Sequence, residues 1–206
     1  MLPFIIEGLI FGLGLAVSLG PIFIALTQTS IEEGVWPGIT VGAGIWISDI
    51  LFLVLFYNFI SAIKNDIESD AFRFWMGMSG AIVMVGFGLY LILKKPVIDY
   101  SIRKHNYNNY IGFWLKGFLV NSINPFTFFF WVSVISTYII GRDITHSQAV
   151  VLLSTILIVI ILSDTAKVLL ANSLKKRLNA KHVNSISNFS GFILLAFGLF
   201  MFYQVI

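Results

Sequence analysis

Residues 148–172 read QAVVLLSTILIVIILSDTAKVLLAN. Apolar positions run on continuously here instead of alternating, which marks a helix rather than a strand of a barrel. About 20 such residues cross the hydrocarbon core of a bilayer, so this stretch is long enough to span it. Runs of the same kind occur at 3–28, 36–60, 72–93, 113–139 and 187–206. In lipid every backbone polar group must be satisfied within the protein, which leaves helices and closed barrels as the only spanning structures. The expected fold is therefore an all-α integral membrane protein with six transmembrane helices.

Composition agrees. Of the 206 residues, 58% are hydrophobic and 11% charged, against about 25% charged in a soluble domain. The net charge of +3 does not point to nucleic acid, because the basic residues sit in short connections between apolar runs. Cysteine is absent, which removes disulfides, thiolate metal sites and a thiol relay. No cleavable signal peptide is expected: Met1 to Ile6 carries no Lys or Arg, and the first apolar run is too long for an h-region.

The basic residues also set orientation. The side that holds the connections at 28–36, 94–113 and 173–186 carries Lys94, Lys95, Arg103, Lys104, Lys116, Lys175, Lys176, Arg177 and Lys181. The other side carries Lys64, Arg73 and Arg142, and Lys167 lies inside a span. The positive-inside rule puts the richer side in the cytoplasm. Both termini are then expected to be periplasmic, in an inner (plasma) membrane, with 94–112 as a cytoplasmic linker between halves 1–93 and 113–206.

Those halves repeat one another. Gly8-x12-Pro21 in helix 1 matches Gly112-x12-Pro125 in helix 4, and each proline follows a small or polar residue, Gly20 or Asn124. Ile47-Ser48-Asp49 in helix 2 matches Leu162-Ser163-Asp164 in helix 5, and Phe87-Gly88-Leu89-Tyr90 in helix 3 matches Phe197-Gly198-Leu199-Phe200 in helix 6. Three spans per half is an odd number, so the second half enters the membrane inverted, giving two inverted three-helix repeats within a single transmembrane domain, 1–206. Inverted repeats characterise many secondary transporters, whose sites lie near the midplane at helices broken by Gly or Pro. Gly20-Pro21 and Asn124-Pro125 are expected to mark such breaks, facing each other across a pseudo-two-fold axis. Each proline frees a carbonyl one turn earlier, and a polar substrate can partner it.

Asp49 and Asp164 fall deep inside spans. A central Asp costs about 2.5–3.5 kcal/mol on insertion scales, so an intramembrane carboxylate is a functional candidate by default. Such a group can load and release a proton during transport or pair with a cationic substrate. The alternative is structural, each Asp capping a neighbouring helix end. Lys167 follows Asp164 by three residues and shares its helix face. It either forms an internal ion pair or snorkels to the interface, or it binds a substrate carboxylate. Asn121, one turn before Pro125, either satisfies backbone there or lines a cavity. Gly8-x3-Gly12 and Gly38-x3-Gly42 read as packing contacts. The run Phe126, Phe128, Phe129, Phe130, Trp131 reads as mostly lipid-facing or interfacial. His105, His146 and His182 fall in or beside connections, so neither a metal site nor a cofactor is expected.

Taken in order, Gly12-x7-Gly20-Pro21, Gly38-x3-Gly42-x6-Asp49 and Lys116-Gly117-Phe118-x2-Asn121-x2-Asn124-Pro125 resemble the lysine exporter and homoserine/threonine efflux (LysE/RhtB) family over the whole chain. The resemblance implies proton-driven export of amino acids or related small solutes from the cytoplasm. Family members commonly follow the helix 4 Asn-Pro with Lys; here Phe126 follows, with Lys167 as a candidate substitute cation. The implied partners are a small-molecule substrate, protons and membrane lipid, not nucleic acid, and a homodimer is compatible with this layout. Export of an inorganic cation is a second transport reading, and would need more acidic or Asn ligands around one cavity. An intramembrane aspartyl enzyme is a different class. It is disfavoured because neither Gly-x-Gly-Asp nor Gly-x-Ser-Gly with an intramembrane His is present.

Overall fold

A computed structural model describes residues 1–17, 20–62, 70–93, 109–142, 144–174 and 180–205. Its elements are α1 (Leu2–Val17), α2 (Pro21–Glu32), α3 (Val35–Ala62), α4 (Asp70–Leu93), α5 (Tyr110–Ser122), α6 (Pro125–Ser133), a π-helical continuation of α6 (Val134–Ile140), α7 (His146–Leu174) and α8 (Ala180–Val205). Most of the expected 94–112 linker, from 94 to 108, lies outside the described residues, as do Lys64, Lys94, Lys95, Arg103, Lys104, His105 and Lys175 to Arg177.

Three described helices are long and apolar enough to cross a membrane, and five spans result if each bent pair counts as one. The pairs are α1 with α2, bent by 68°, and α5 with α6, bent by 61°. In α4 the apolar part is shorter, Gly77–Leu93. Surface chemistry is the reverse of a soluble protein. Ile10, Leu13, Val54, Ile158, Leu162, Leu170 and Leu199 are exposed, while Ser48, Asp49, Asn121, Thr127 and Asp164 are buried. Only a solvent of hydrocarbon rewards that arrangement, so the chain is a multi-pass membrane protein.

The breaks fall at the prolines. A residue before proline is pushed out of the α region, and Gly20 and Asn124 both take extended backbone (ψ −154° and 112°). Proline then serves as the first residue of α2 and of α6, where its missing N–H costs nothing. The sharp reversal between α2 and α3 is made by Gly34, whose φ of 105° is open to glycine and strained for other residues.

The three most extensive helix contacts are α4 with α8, α3 with α5, and α1 with α7. Each joins an element of 1–93 to an element of 109–205. Small residues allow the approach. A Cβ on Gly8 or Gly12 would strike Thr155 or Val159 of α7, so the Gly-x3-Gly expectation for helix 1 holds. In α4 and α8, Gly88 and Gly191 lie against each other's carbonyl oxygens, at 2.8 and 2.7 Å from a notional Cβ. The tightest approach is α3 to α5, where a Cβ on Gly117 would fall on the Val41 carbonyl oxygen and one on Gly44 on the Trp114 carbonyl oxygen. Gly117→Val is therefore expected to force the two helices apart, at a cost of about 1–3 kcal/mol for overpacking. Thermal unfolding in detergent checks this; a variant as stable as the parent would contradict the close approach.

Two polar contacts fix the sense of the bent pairs. Lys116, midway along α5 and so in the first half of the α5–α6 pair, donates to Thr29, late in α2, at 2.9 Å. Arg142, just after the π-helical segment, pairs with Glu7, early in α1, at 2.9 Å. The first half of each pair thus meets the end of the other, and the two pairs run in opposite directions.

Candidate functional site

Two apolar clusters fill the bundle. One gathers Leu15, Trp131, Ile135, Leu152, Ile156 and Ile160; the other gathers Ala25, Leu26, Val41, Ile45 and Val168. Members of both line a cavity of about 20 Å³, together with Asp49, Asn121, Thr127, Asp164 and Lys167. That volume holds about one water and no amino acid.

Asp49, on α3, is 1% exposed. Its Oδ1 accepts hydrogen bonds from Asn121 Nδ2 and from Trp131 Nε1, each at 2.9 Å. Among the described residues nothing donates to its Oδ2. Asn121 is held in turn. Its Nδ2 also reaches the Ile45 carbonyl at 3.2 Å, and its Oδ1 accepts from Thr127 at 3.1 Å. Thr127 accepts from Asn124 at 3.0 Å, while Asn124 Oδ1 caps α6 through the Phe126 amide at 3.2 Å. The helix break at Asn124-Pro125 is therefore wired through Thr127 and Asn121 to the Asp49 carboxyl. Asn121 lines the cavity; the backbone carbonyl its side chain satisfies is that of Ile45 on α3, not one at the Pro125 break.

Asp164, on α7, is held differently. Lys167 donates to its Oδ1 at 2.9 Å and Trp46 Nε1 to its Oδ2 at 3.2 Å. The Asp164 and Lys167 side chains are 3% and 13% exposed. Lys167 thus forms the internal ion pair, and it also lines the cavity. The two carboxylates each take an indole from the opposite half: Asp49 from Trp131, Asp164 from Trp46.

Gly20, Pro21 and Asn124 meet in a second, smaller cavity of about 10 Å³, closed by Phe126 and Ser190. The two breaks therefore lie side by side, and Pro125 is buried at the head of α6. All eight candidate residues fall in or beside these two cavities.

A family model for LysE type translocators matches residues 13–205. The chain belongs to the LysE type translocator family. It is also similar to "Putative amino acid efflux protein YcgF" of Bacillus subtilis (strain 168), with 23% identity over 201 residues, covering 95% of this chain and 93% of that protein. No solved structure matches. As a LysE type translocator with several span-capable helices, the protein is a membrane transporter.

One expectation needs correction. Within the aromatic run of α6, Trp131 does not face lipid: it is fully buried, whereas Phe126, Phe128, Phe129 and Phe130 are only partly buried. Trp131 turns inward because a buried indole N–H needs an acceptor, and Asp49 supplies it. Trp46 and Thr127 were missed as site residues altogether. A signal existed for each: Trp46 precedes Asp49 by three residues, on one helix face, and Thr127 stands between Asn124 and Trp131 at spacings of three and four. Lys116, counted among the loop cations, instead bridges α5 to Thr29.

Proposed function

We propose that this LysE type translocator exports an amino acid from the cytoplasm in exchange for protons, with Asp49 as the group for which proton and substrate ammonium compete. The observation that carries this reading is the one open carboxylate oxygen among the described residues of the cavity, Asp49 Oδ2. Both donors to its partner oxygen are neutral, an amide and an indole. Taking up a proton therefore breaks no ion pair, unlike at Asp164, where Lys167 would be left uncompensated. An ammonium arriving from the cytoplasm displaces the proton; a proton arriving from outside displaces the ammonium. Lys167 has one of its N–H groups on Asp164 and the others free for a substrate carboxylate.

The cavity of about 20 Å³ must enlarge to take such a substrate. The bent pairs supply the means. They run in opposite directions, they meet at their breaks, and they are tied at one end by Lys116–Thr29 and at the other by Glu7–Arg142. We read them as the first helices of two inverted three-helix repeats, 1–93 and 113–206, in a six-span protein of the inner (plasma) membrane. Loosening one tie while keeping the other would open one side at a time. Export of an inorganic cation finds less support, because a cation site needs several converging oxygens and both Asp164 oxygens are already bonded.

Efflux from vesicles loaded with a panel of amino acids, with and without an imposed pH gradient, tests the function. Export of at least one that accelerates when the outside is acid supports it; export indifferent to the gradient contradicts proton exchange. Orientation has its own check. The Lys/Arg bias favours periplasmic termini with 94–112 in the cytoplasm, so a reporter fused after Ile206 should show activity in the periplasm. Activity confined to the cytoplasm would overturn it.

A further inference from the structure

We infer that Lys167 is a specificity-determining residue that restricts this site to neutral, monoamino substrates with an aliphatic side chain, against dibasic amino acids. The inference rests on amino-acid export as proposed above and deepens it. Among the described residues, three charged side chains line the cavity: Asp49, Asp164 and Lys167. Asp164 is fully committed, one oxygen to the Lys167 ammonium and the other to the Trp46 indole. Asp49 offers one open oxygen. The site can therefore neutralise one incoming ammonium.

A neutral amino acid carries one ammonium and one carboxylate, and the cavity presents one free carboxylate oxygen and one ammonium with free N–H groups. A dibasic amino acid brings a second cation. The rest of the wall it would meet carries no charge, being aliphatic at Leu15, Ile22, Ile45 and Ile160 and neutral at Asn121 and Thr127, and the fixed charge of Lys167 repels it. A charge moved out of water without a partner is strongly disfavoured. The same wall suits an aliphatic side chain, which gains by leaving water. Lys167 thus acts twice: it anchors the substrate carboxylate, and it holds Asp164 away from a second ammonium.

Exchange by the purified protein in liposomes tests this. Labelled L-leucine and L-lysine are compared, with 3-methylbutylamine (no carboxylate) and 4-methylpentanoate (no amine) as competitors. In the parent protein L-leucine is expected to exchange faster than L-lysine by about tenfold or more, a size of discrimination ordinary for an unpaired polar group, and neither truncated analogue should compete. In Lys167→Met the carboxylate anchor is lost for both substrates but Asp164 is released for a second ammonium, so L-leucine exchange should fall more than L-lysine exchange and the ratio should drop by about tenfold; Lys167→Arg keeps the charge and should keep the preference. L-lysine moving as fast as L-leucine in the parent, or effective competition by the amine alone, would overturn the inference while leaving export intact. An unchanged ratio in a folded Lys167→Met protein would also overturn it. If that variant does not fold, the parent's ratio and the two analogues decide. Exchange of no amino acid at all would overturn the export reading itself, and this inference with it.

Discussion

Asp49→Asn is expected to fold, reach the membrane and lose proton-coupled export. The amide has the shape of the carboxyl, and its oxygen can take the Asn121 and Trp131 hydrogen bonds that now end on Oδ1. Its NH₂ then occupies the place of the open oxygen. Two functions disappear together. An amide does not titrate, so no proton is carried. A substrate ammonium meets a donor instead of an acceptor, and loss of a charged hydrogen bond of about 1.5–3 kcal/mol corresponds to about 10–150-fold in affinity. Insertion should improve slightly, because a carboxyl at membrane depth is the costlier group. Expression and thermal stability near those of the parent, with efflux at the background of empty vesicles, is the expected pair of results. Full coupled efflux by this variant would remove Asp49 from the mechanism.

Asp164→Asn is expected to fail earlier, at folding. The Lys167 ammonium sits in a side chain 13% exposed, with Asp164 as its partner at 2.9 Å. Removing one member of a buried pair costs about 3–5 kcal/mol, whereas replacing both by groups of similar volume is often neutral. The double change Asp164→Asn with Lys167→Met should therefore restore expression and thermal stability. Transport should stay low, because the carboxylate anchor has gone with Lys167. Recovery of both stability and transport would make the pair purely structural.

The long spans of α3 and α7, the breaks and the carboxylates were legible in the sequence because each is a local property. Apolar length marks α3 and α7, proline fixes the heads of α2 and α6, and a charge inside an apolar run is conspicuous at Asp49 and Asp164. What was not legible depends on which way a helix faces. Phe126 to Trp131 has the composition of a lipid-facing strip, and hydropathy cannot separate an indole in the headgroup layer from one buried against a carboxylate. The inward turn of Trp131 is set by the Asn124–Thr127–Asn121–Asp49 chain of hydrogen bonds, which spans α3, α5 and α6. The Trp46–Asp164 bond joins positions 118 residues apart, beyond any local pattern. The π-helical turn at Val134–Ile140 was not anticipated either, since an apolar run has the same composition in an α- or a π-helix.

Proton movement driven by substrate tests the central claim most directly. The protein is reconstituted in liposomes that hold a pH-sensitive dye, and an amino acid that it exchanges is added on one side with no pre-set pH gradient. Proton exchange predicts that the trapped volume changes pH as substrate moves, acidifying when substrate leaves it and alkalinising when substrate enters, with no such change in Asp49→Asn liposomes. Substrate movement by the parent with no change in trapped pH would contradict it.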